Sequence, residues 1–482
     1  MPDLRPILHI IGLLLIGLAI LMLIPAAADL ASGDPDWLVF WASAATTGFF
    51  GMAMVLANRR PDLALNIKQA FVLTTLTWVL MAAFAALPFK FAKGGLSYAG
   101  SFFEAVSGLT TSGGTVLVGL DTMATGILLW RGLLQLVGGL GIIVMAIAIL
   151  PFLRVGGMQL LRMESSDRMD KVLPRARQIS ITTAIIYVVL NVLCAFGYWL
   201  GGMAPFDASI HAMATISTGG FSTSDASISH WPGMIVLWNG TLFMFLGSLP
   251  FMLYVRTLKG NWRDLIFDEQ VKLLFWIVIL SSGAMTAWLI ADGRLDVVDG
   301  FSHATFNVIS IVSTTGFMSQ DYTLWGSFPV VLFALLLSVG GCTGSTAGGI
   351  KMLRFAILWQ VARTYIRTLI TPHGVFQQRF NGQPVPADVP ISIVAFVGIY
   401  LGILFVSTVA LAALGLDPMT SFSASAACLG NVGPGLGGIV GPAGNFSTLS
   451  TPVIWILSAD MLVGRLELFT VLVLFTRHFW RS

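Results

Sequence analysis

The sequence predicts an all-α polytopic membrane protein, with two N-terminal transmembrane helices followed by four pseudo-symmetric repeats of helix, pore helix, filter and helix around one pore. Three observations predict it. Of 482 residues, 56% are hydrophobic and only 10% are charged, and the mean hydropathy of +0.86 lies far from that of a soluble domain. Apolar runs long enough to cross a hydrocarbon core recur from end to end. Between them, on one side only, four apolar pieces too short to cross each run into a stretch rich in glycine and hydroxyl side chains.

Spans are predicted at about 7–27, 37–57, 69–88, 123–150, 178–200, 231–254, 271–291, 326–350, 389–413 and 450–476. The first follows Arg5 and precedes Ala26-Ala27-Ala28, as a signal peptide would. It is long enough to span, however, and a second run starts just after Asp34-Pro35-Asp36, so it is read as a retained helix. An even number of spans puts both ends on one side. Arg59, Arg60 and Lys68, the run of basic residues from Arg154 to Arg177, Arg256 to Lys272, and Lys351 to Arg379 all fall in alternate connections, which the positive-inside rule makes cytoplasmic. The opposite connections hold mostly acids, among them Asp121, Asp207, Asp225, Asp296, Asp321 and Asp417. These either follow passively from a rule that concerns only lysine and arginine, or concentrate cations at outer mouths. The basic residues lie where topology and membrane lipid demand them, so no nucleic acid is expected. Cys194, Cys342 and Cys428 form neither a disulfide framework nor a metal signature, and no cofactor is expected.

The short pieces, 98–109, 205–216, 301–312 and 418–429, read as re-entrant half-helices. They lead into Thr110-Thr111-Ser112-Gly113-Gly114, Ser217-Thr218-Gly219-Gly220-Phe221, Ser313-Thr314-Thr315-Gly316-Phe317 and Asn431-Val432-Gly433-Pro434-Gly435, aligned on Gly113, Gly219, Gly316 and Gly433. The expected divisions are 1–65 for the N-terminal pair, then 66–155, 156–265, 266–387 and 388–482 for the repeats. Irregular backbone at membrane depth is tolerated only when it is buried in protein or faces water. Four such stretches meeting on one axis satisfy that condition together, and their carbonyls can replace an ion's hydration shell. Glycine lets the strand turn carbonyls inward, serine and threonine add oxygens, and the carbonyl ends of the half-helices favour a cation. The glycine spacing of 433 and 435 is that of a potassium-channel filter loop. One Ser-Thr-Gly triplet alone would be an ordinary turn, and a Gly-Gly pair ordinary packing; the fourfold recurrence carries the reading.

These stretches, SGLTTSGGTV (107–116), ATISTGGFSTSDAS (214–227), STTGF (313–317) and ACLGNVGPGLG (427–437), resemble the filter regions of the Trk/Ktr/HKT superfamily. The extra N-terminal spans, GGCTGSTAGG (340–349) and Gly464-Arg465-Leu466-Glu467 resemble its bacterial TrkH/TrkG branch. The resemblance covers essentially the whole chain. It implies a potassium-uptake subunit of the bacterial inner membrane with K⁺ as the transported ion. It further implies a homodimer with one pore per protomer and a cytosolic TrkA-like nucleotide-binding regulatory subunit. The implied filter comprises Thr111, Ser112, Gly113, Ser217, Thr218, Gly219, Thr314, Thr315, Gly316, Asn431, Val432 and Gly433. Gly113 is kept where sodium-preferring members carry serine, whereas Ser112 and Gly114 depart from the more usual threonine and alanine.

Below the filters the eighth run breaks at a glycine and hydroxyl stretch, Gly340, Gly341, Thr343, Gly344, Ser345, Thr346, Gly348 and Gly349, whose helical propensity is weak. It is expected to be a looped insert, and the resemblance makes it an intramembrane gate; close packing of small residues is the plainer alternative. A phosphate-binding loop would need Lys-Ser or Lys-Thr after the last glycine, whereas Gly349 is followed by Ile350-Lys351-Met352. Arg465 sits midway along an apolar run, where a charge is expensive unless it faces protein or water. It reads as a positive charge in the path, or else as half of a structural pair with Asp460 or Glu467, neither of which lies at i+3 or i+4. Lys351 is a second such charge or a residue snorkelling to the boundary. Glu104 is expected to bond backbone amides behind the first filter strand, and the tail from Arg363 to Asp388 to serve dimer contacts.

The functional expectation is passive, selective K⁺ conduction inward. A symporter coupling K⁺ to H⁺ or Na⁺ also uses broken helices, but usually in two inverted repeats. An embedded enzyme would need convergent acids or histidines, whereas His211, His230, His303, His373 and His478 are scattered. A non-transporting structural subunit is the remaining alternative.

Overall fold

The computed structural model of the chain describes residues 3–59, 65–148, 172–374 and 376–481. Arg60 and the stretch carrying Arg154, Arg162, Arg168 and Lys171 lie outside the described residues. Helices Arg5–Ser32 and Trp37–Ala57 form an antiparallel pair beside the repeats, joined through Gly33 in the left-handed region. They cross at Gly12 and Gly51, where a Cβ on either would lie within 2.8 Å of the other's carbonyl oxygen, so small residues set the closeness of the pair.

Four units of one plan follow. Their outer helices are Ile67–Ala85, Val172–Leu200, Glu269–Ala291 and Asp388–Ala413. The half-helices are Tyr98–Leu109, Pro205–Ile216, Val297–Val312 and Pro418–Gly430, within a few residues of the predicted pieces and buried along most of their length. Their N-termini are fixed from the outer side. Ser97, Asp296 and Asp417 accept from the amides of Gly100, Asp299 and Thr420, and Pro205 opens the second. The Thr420 hydroxyl and amide hold the Asp417 carboxyl below the usual carboxylate range. Several outer acids are thus helix caps, a role that neither reading of that face assigned them.

The inner helices depart from the ten predicted spans. Among the described residues, seven helices are long and apolar enough to cross, eight if one bent pair is joined. The first inner helix, Thr125–Ala148, is continuous. The second, predicted over 231–254, bends by 89° between Met234–Gly247 and Phe251–Leu258, because Pro250 has no amide to donate and disfavours helical geometry at Leu249. The third is helical only over Ser327–Leu336 and resumes as Met352–Ile370. The fourth ends at Arg465 and continues as the short Leu468–Leu472. Three of the four inner helices break at corresponding places, which opens the middle of the protein to irregular backbone.

Candidate functional site

Each half-helix ends in the same backbone figure. Just past the helical body, Thr111, Thr218, Thr314 or Asn431 takes φ of 53°, 52°, 60° or 53°. The next amide bonds back five residues, Ser112 to Ser107, Gly219 to Ala214, Thr315 to Ser310 and Val432 to Ala427, at 2.7–2.8 Å. This is a Schellman termination, with threonine or asparagine at the position glycine normally takes. A β-branched residue there is strained by about 1–3 kcal/mol. Two residues on, Gly113, Gly220, Gly316 and Gly433 again have positive φ, 85°, 75°, 82° and 100°. The register therefore corrects the alignment: the glycine equivalent to Gly113, Gly316 and Gly433 is Gly220. Gly219 corresponds to Ser112, Thr315 and Val432, because the Gly-Gly pair leaves the sequence ambiguous by one residue.

These glycines close a ring. A Cβ on Gly113 would collide with the carbonyl oxygen of Gly219, one on Gly220 with that of Thr315, and one on Gly316 with that of Val432. On Gly433 it would meet the carbonyl oxygen of Ser112, all at under 3.0 Å. Repeat one leans on two, two on three, three on four, and four on one. Main-chain oxygens of equivalent residues thus surround one axis, and no side chain fits where the glycines stand.

Behind the ring, each half-helix sends a polar side chain to the strand beyond the filter. Glu104 accepts from the Val116 amide and the Thr115 hydroxyl, His211 bonds the Ser222 hydroxyl, Asn307 accepts from the Ser319 amide, and Ser423 donates to the Leu436 carbonyl. The Glu104 expectation holds. Arg131, on the first inner helix, donates to Glu104 at 2.9 Å and to the Ser222 carbonyl at 2.7 Å, and lies 4.1 Å over the Phe221 ring. One turn on, Gln135 donates to the Gly219 carbonyl at 2.6 Å and accepts from the Phe221 amide. Asn431 closes the seam between repeats four and one by donating to the Ser112 hydroxyl at 2.6 Å.

Beneath the ring lies the insert. Val339 and Ile350 pair as its neck. From there Gly340, Gly341, Thr343, Gly344, Ser345, Thr346, Gly348 and Gly349 run directly under the half-helix ends. The Thr346 hydroxyl bonds the carbonyls of Ile216 and Gly247 at 2.9 Å and meets the Thr218 hydroxyl at 3.2 Å. The Gly348 amide donates to the Thr314 hydroxyl at 2.6 Å. The bend of the second inner helix grips the other side: Cys342 donates to the Ser248 carbonyl, and Phe251 to that of Gly344. A vestibule of about 210 Å³ opens above the ring, whereas the chamber under the insert measures about 20 Å³.

Arg465 lines that small chamber at 4% exposure. None of its three guanidinium nitrogens has a hydrogen-bond partner among the described residues. The structural-pair alternative fails, since Asp460 accepts from Ser407 and Ser425 instead and Glu467 pairs with Arg354. Lys351 does not snorkel: it is buried and donates to the Ala347 carbonyl.

Sequence reading passed over Arg131, Gln135, Gly220 and Arg354, and also a second fourfold motif. LVGGL (136–140), FLGSL (245–249), SVGGC (338–342) and LVGRL (462–466) occupy the same place on the four inner helices. Gly138, Gly247 and Gly464 each lie against the last carbonyls of their own half-helix, where a Cβ would stand 2.0, 3.0 and 2.0 Å from the oxygens of Leu109, Ile216 and Leu429. Arg465 thus stands where the other repeats carry Gly139, Ser248 and Gly341, a signal available from aligning the repeats a second time.

Comparisons with known proteins agree with this architecture. A family model described as TrkH, a cation transport protein, matches residues 39–481. The chain is 44% identical over 478 residues to the Trk system potassium uptake protein TrkI of Halomonas elongata, covering 99% of this chain and 97% of that one. It is 36% identical to TrkH of Escherichia coli K12, covering 99% of both. The crystal structure of the potassium transporter TrkH from Vibrio parahaemolyticus superposes with a TM-score of 0.91 at 33% identity, covering both chains fully.

Proposed function

The chain belongs to the TrkH family of cation transport proteins, and from that premise we propose that it conducts K⁺ selectively into the cell across the bacterial inner membrane. The observation that carries the reading is the closed ring in which each filter glycine abuts the next repeat's carbonyl. The ion ligands are the main-chain oxygens of Thr111, Ser112, Gly113 and their counterparts in Ser217, Thr218, Gly219, Gly220, Thr314, Thr315, Gly316, Asn431, Val432 and Gly433. A dehydrated K⁺ exchanges its water shell for these oxygens, and the half-helix carbonyl ends add a favourable field. The membrane potential drives entry at roughly 2.3 kcal/mol per charge per 100 mV.

The insert 340–349 is the gate, and Arg465 is the charge that opposes cations beneath it, with Lys351 anchoring the loop's end. A cytosolic TrkA-like nucleotide-binding subunit withdraws the loop by acting on the helix that follows it, Met352–Ile370. The protein works as a homodimer with both termini cytoplasmic, and the Met352–Ile370 helix and the tail to Asp388 contribute to that contact. The test is K⁺ flux into liposomes carrying purified protein under an imposed potential. Flux should follow the potential without a proton gradient and fall when Na⁺ replaces K⁺. Obligatory movement of H⁺ or Na⁺ with each K⁺ would replace the channel reading by the symporter one.

A further inference from the structure

The chamber under the gate loop has donors in excess. Arg465 presents three buried nitrogens without acceptors among the described residues, and Tyr400 lines the same space, its hydroxyl without a hydrogen-bond partner among the described residues. Lys351 gives one bond to the Ala347 carbonyl and has two further protons to donate. The remaining charged groups on this wall, Arg354 and Glu467, are joined to each other. Asp460 is engaged by Ser407 and Ser425. Two positive charges, on different elements, therefore face one cavity with no free carboxylate beside them among the described residues.

Burying an uncompensated charge costs several kcal/mol even after relaxation. Two like charges across a loop and helix junction also push that junction apart. Water can satisfy the nitrogens but cannot cancel the charge. The chamber is narrow, about 20 Å³, which suits a small monatomic anion better than a tetrahedral oxyanion. We propose that this chamber is a binding site for one small monovalent anion of halide size, held by Arg465, Lys351 and the Tyr400 hydroxyl. The proposal deepens the gate reading. Gly344, Ser345 and Gly348 of the insert form the opposite wall, so the site exists only while the loop is seated, and the anion stabilises that arrangement by mass action.

The experiment is thermal unfolding of the detergent-purified full-length chain, in potassium chloride or bromide against potassium gluconate at equal ionic strength. Crystals soaked in bromide supply the location. Unfolding temperature should rise saturably with either halide, Arg465→Gln should abolish the rise, and one anomalous peak should lie beside residue 465. Tyr400→Phe removes only the hydroxyl and should weaken the apparent halide affinity about tenfold, the worth of one hydrogen bond to a charged group, which keeps the test alive if Arg465→Gln fails to fold. Identical unfolding in halide and gluconate, or a rise that survives both substitutions, would overturn the proposal in favour of water. Its failure is separable from that of the gate: no halide response in the parent chain, together with raised flux in Arg465→Ala, removes only the anion. A halide response with unchanged flux removes only the gate.

Discussion

Two of the arginines buried on inner helices of this protein, Arg131 and Arg465, have opposite surroundings. Arg131, behind the filter, has Glu104 at one nitrogen, the Ser222 carbonyl at another and the Phe221 ring beneath its plane. Arg465, below the filter, meets no acceptor among the described residues and borders a cavity. Evolution of a stable core removes unpaired buried charges or pairs them, since a lone one costs more than any isosteric apolar residue. The layer behind the filter obeys that rule, whereas the layer beneath it breaks it, most plainly at Arg465. A charge satisfied on every side is architecture, while an unsatisfied one is kept for what it does to a passing ion.

Removing Arg131 is the most severe way to break this comparison. Arg131→Ala leaves Glu104 buried without its counter-charge and frees the Ser222 carbonyl. The expected loss is about 3–5 kcal/mol, read as a large fall in unfolding temperature. Adding Glu104→Gln to the same chain should recover much of it, because the stranded carboxylate is then neutral. A single variant as stable as the parent would mean that the filter's backing does not depend on the pair.

Arg465→Ala tests the other side. In halide-free buffer no pair is lost, so stability should stay within about 1 kcal/mol of the parent or rise. Basal K⁺ flux into liposomes should rise by about tenfold or more, since about 1.4 kcal/mol of barrier is a factor of ten. Lower stability with unchanged flux would make Arg465 a second Arg131, and the contrast would vanish.

The same pair shows how much was legible in the sequence. Half-helices and the fourfold order could be read because short apolar pieces and glycine stretches are local signals. Arg465 drew attention as a charge in an apolar run, but Arg131, in an equally apolar run, did not, because its partners come from distant segments: Glu104 lies 27 residues away and Ser222 lies 91. The filter register slipped by one at Gly219-Gly220 because either glycine suits the backbone; only the positive φ at Thr218 and Gly220 distinguishes them. The bend at Ser248-Leu249-Pro250 was signalled by Pro250, yet the apolar residues on both sides made one long span the simpler expectation. That Glu467 belongs to Arg354 depends on two inner helices breaking at the same depth, which no single window of sequence reveals.

The subtlest test lies at the seam between the two layers, where Thr346 of the insert touches the satisfied region from below. Its hydroxyl bonds Ile216 and Gly247 carbonyls and meets the Thr218 hydroxyl, so it ties the loop to the end of the second half-helix. Thr346→Val keeps the shape and removes those bonds, costing the seated loop about 1 kcal/mol. The carbonyl of Ile216 already serves as a helix end and Thr218 retains its own carbonyl contact with Ser217, so the fold itself should survive. Seated and withdrawn loops would then shift by about fivefold in ratio, and basal flux should rise by a similar factor, less than for Arg465→Ala. Selectivity between K⁺ and Na⁺ should be unchanged, because the ring of carbonyls above is held by Gln135, Arg131 and the half-helix braces rather than by the loop. A variant that loses selectivity along with tightness would show that the lower layer supports the filter, and the division between architecture above and gate below would have to be redrawn at Thr346.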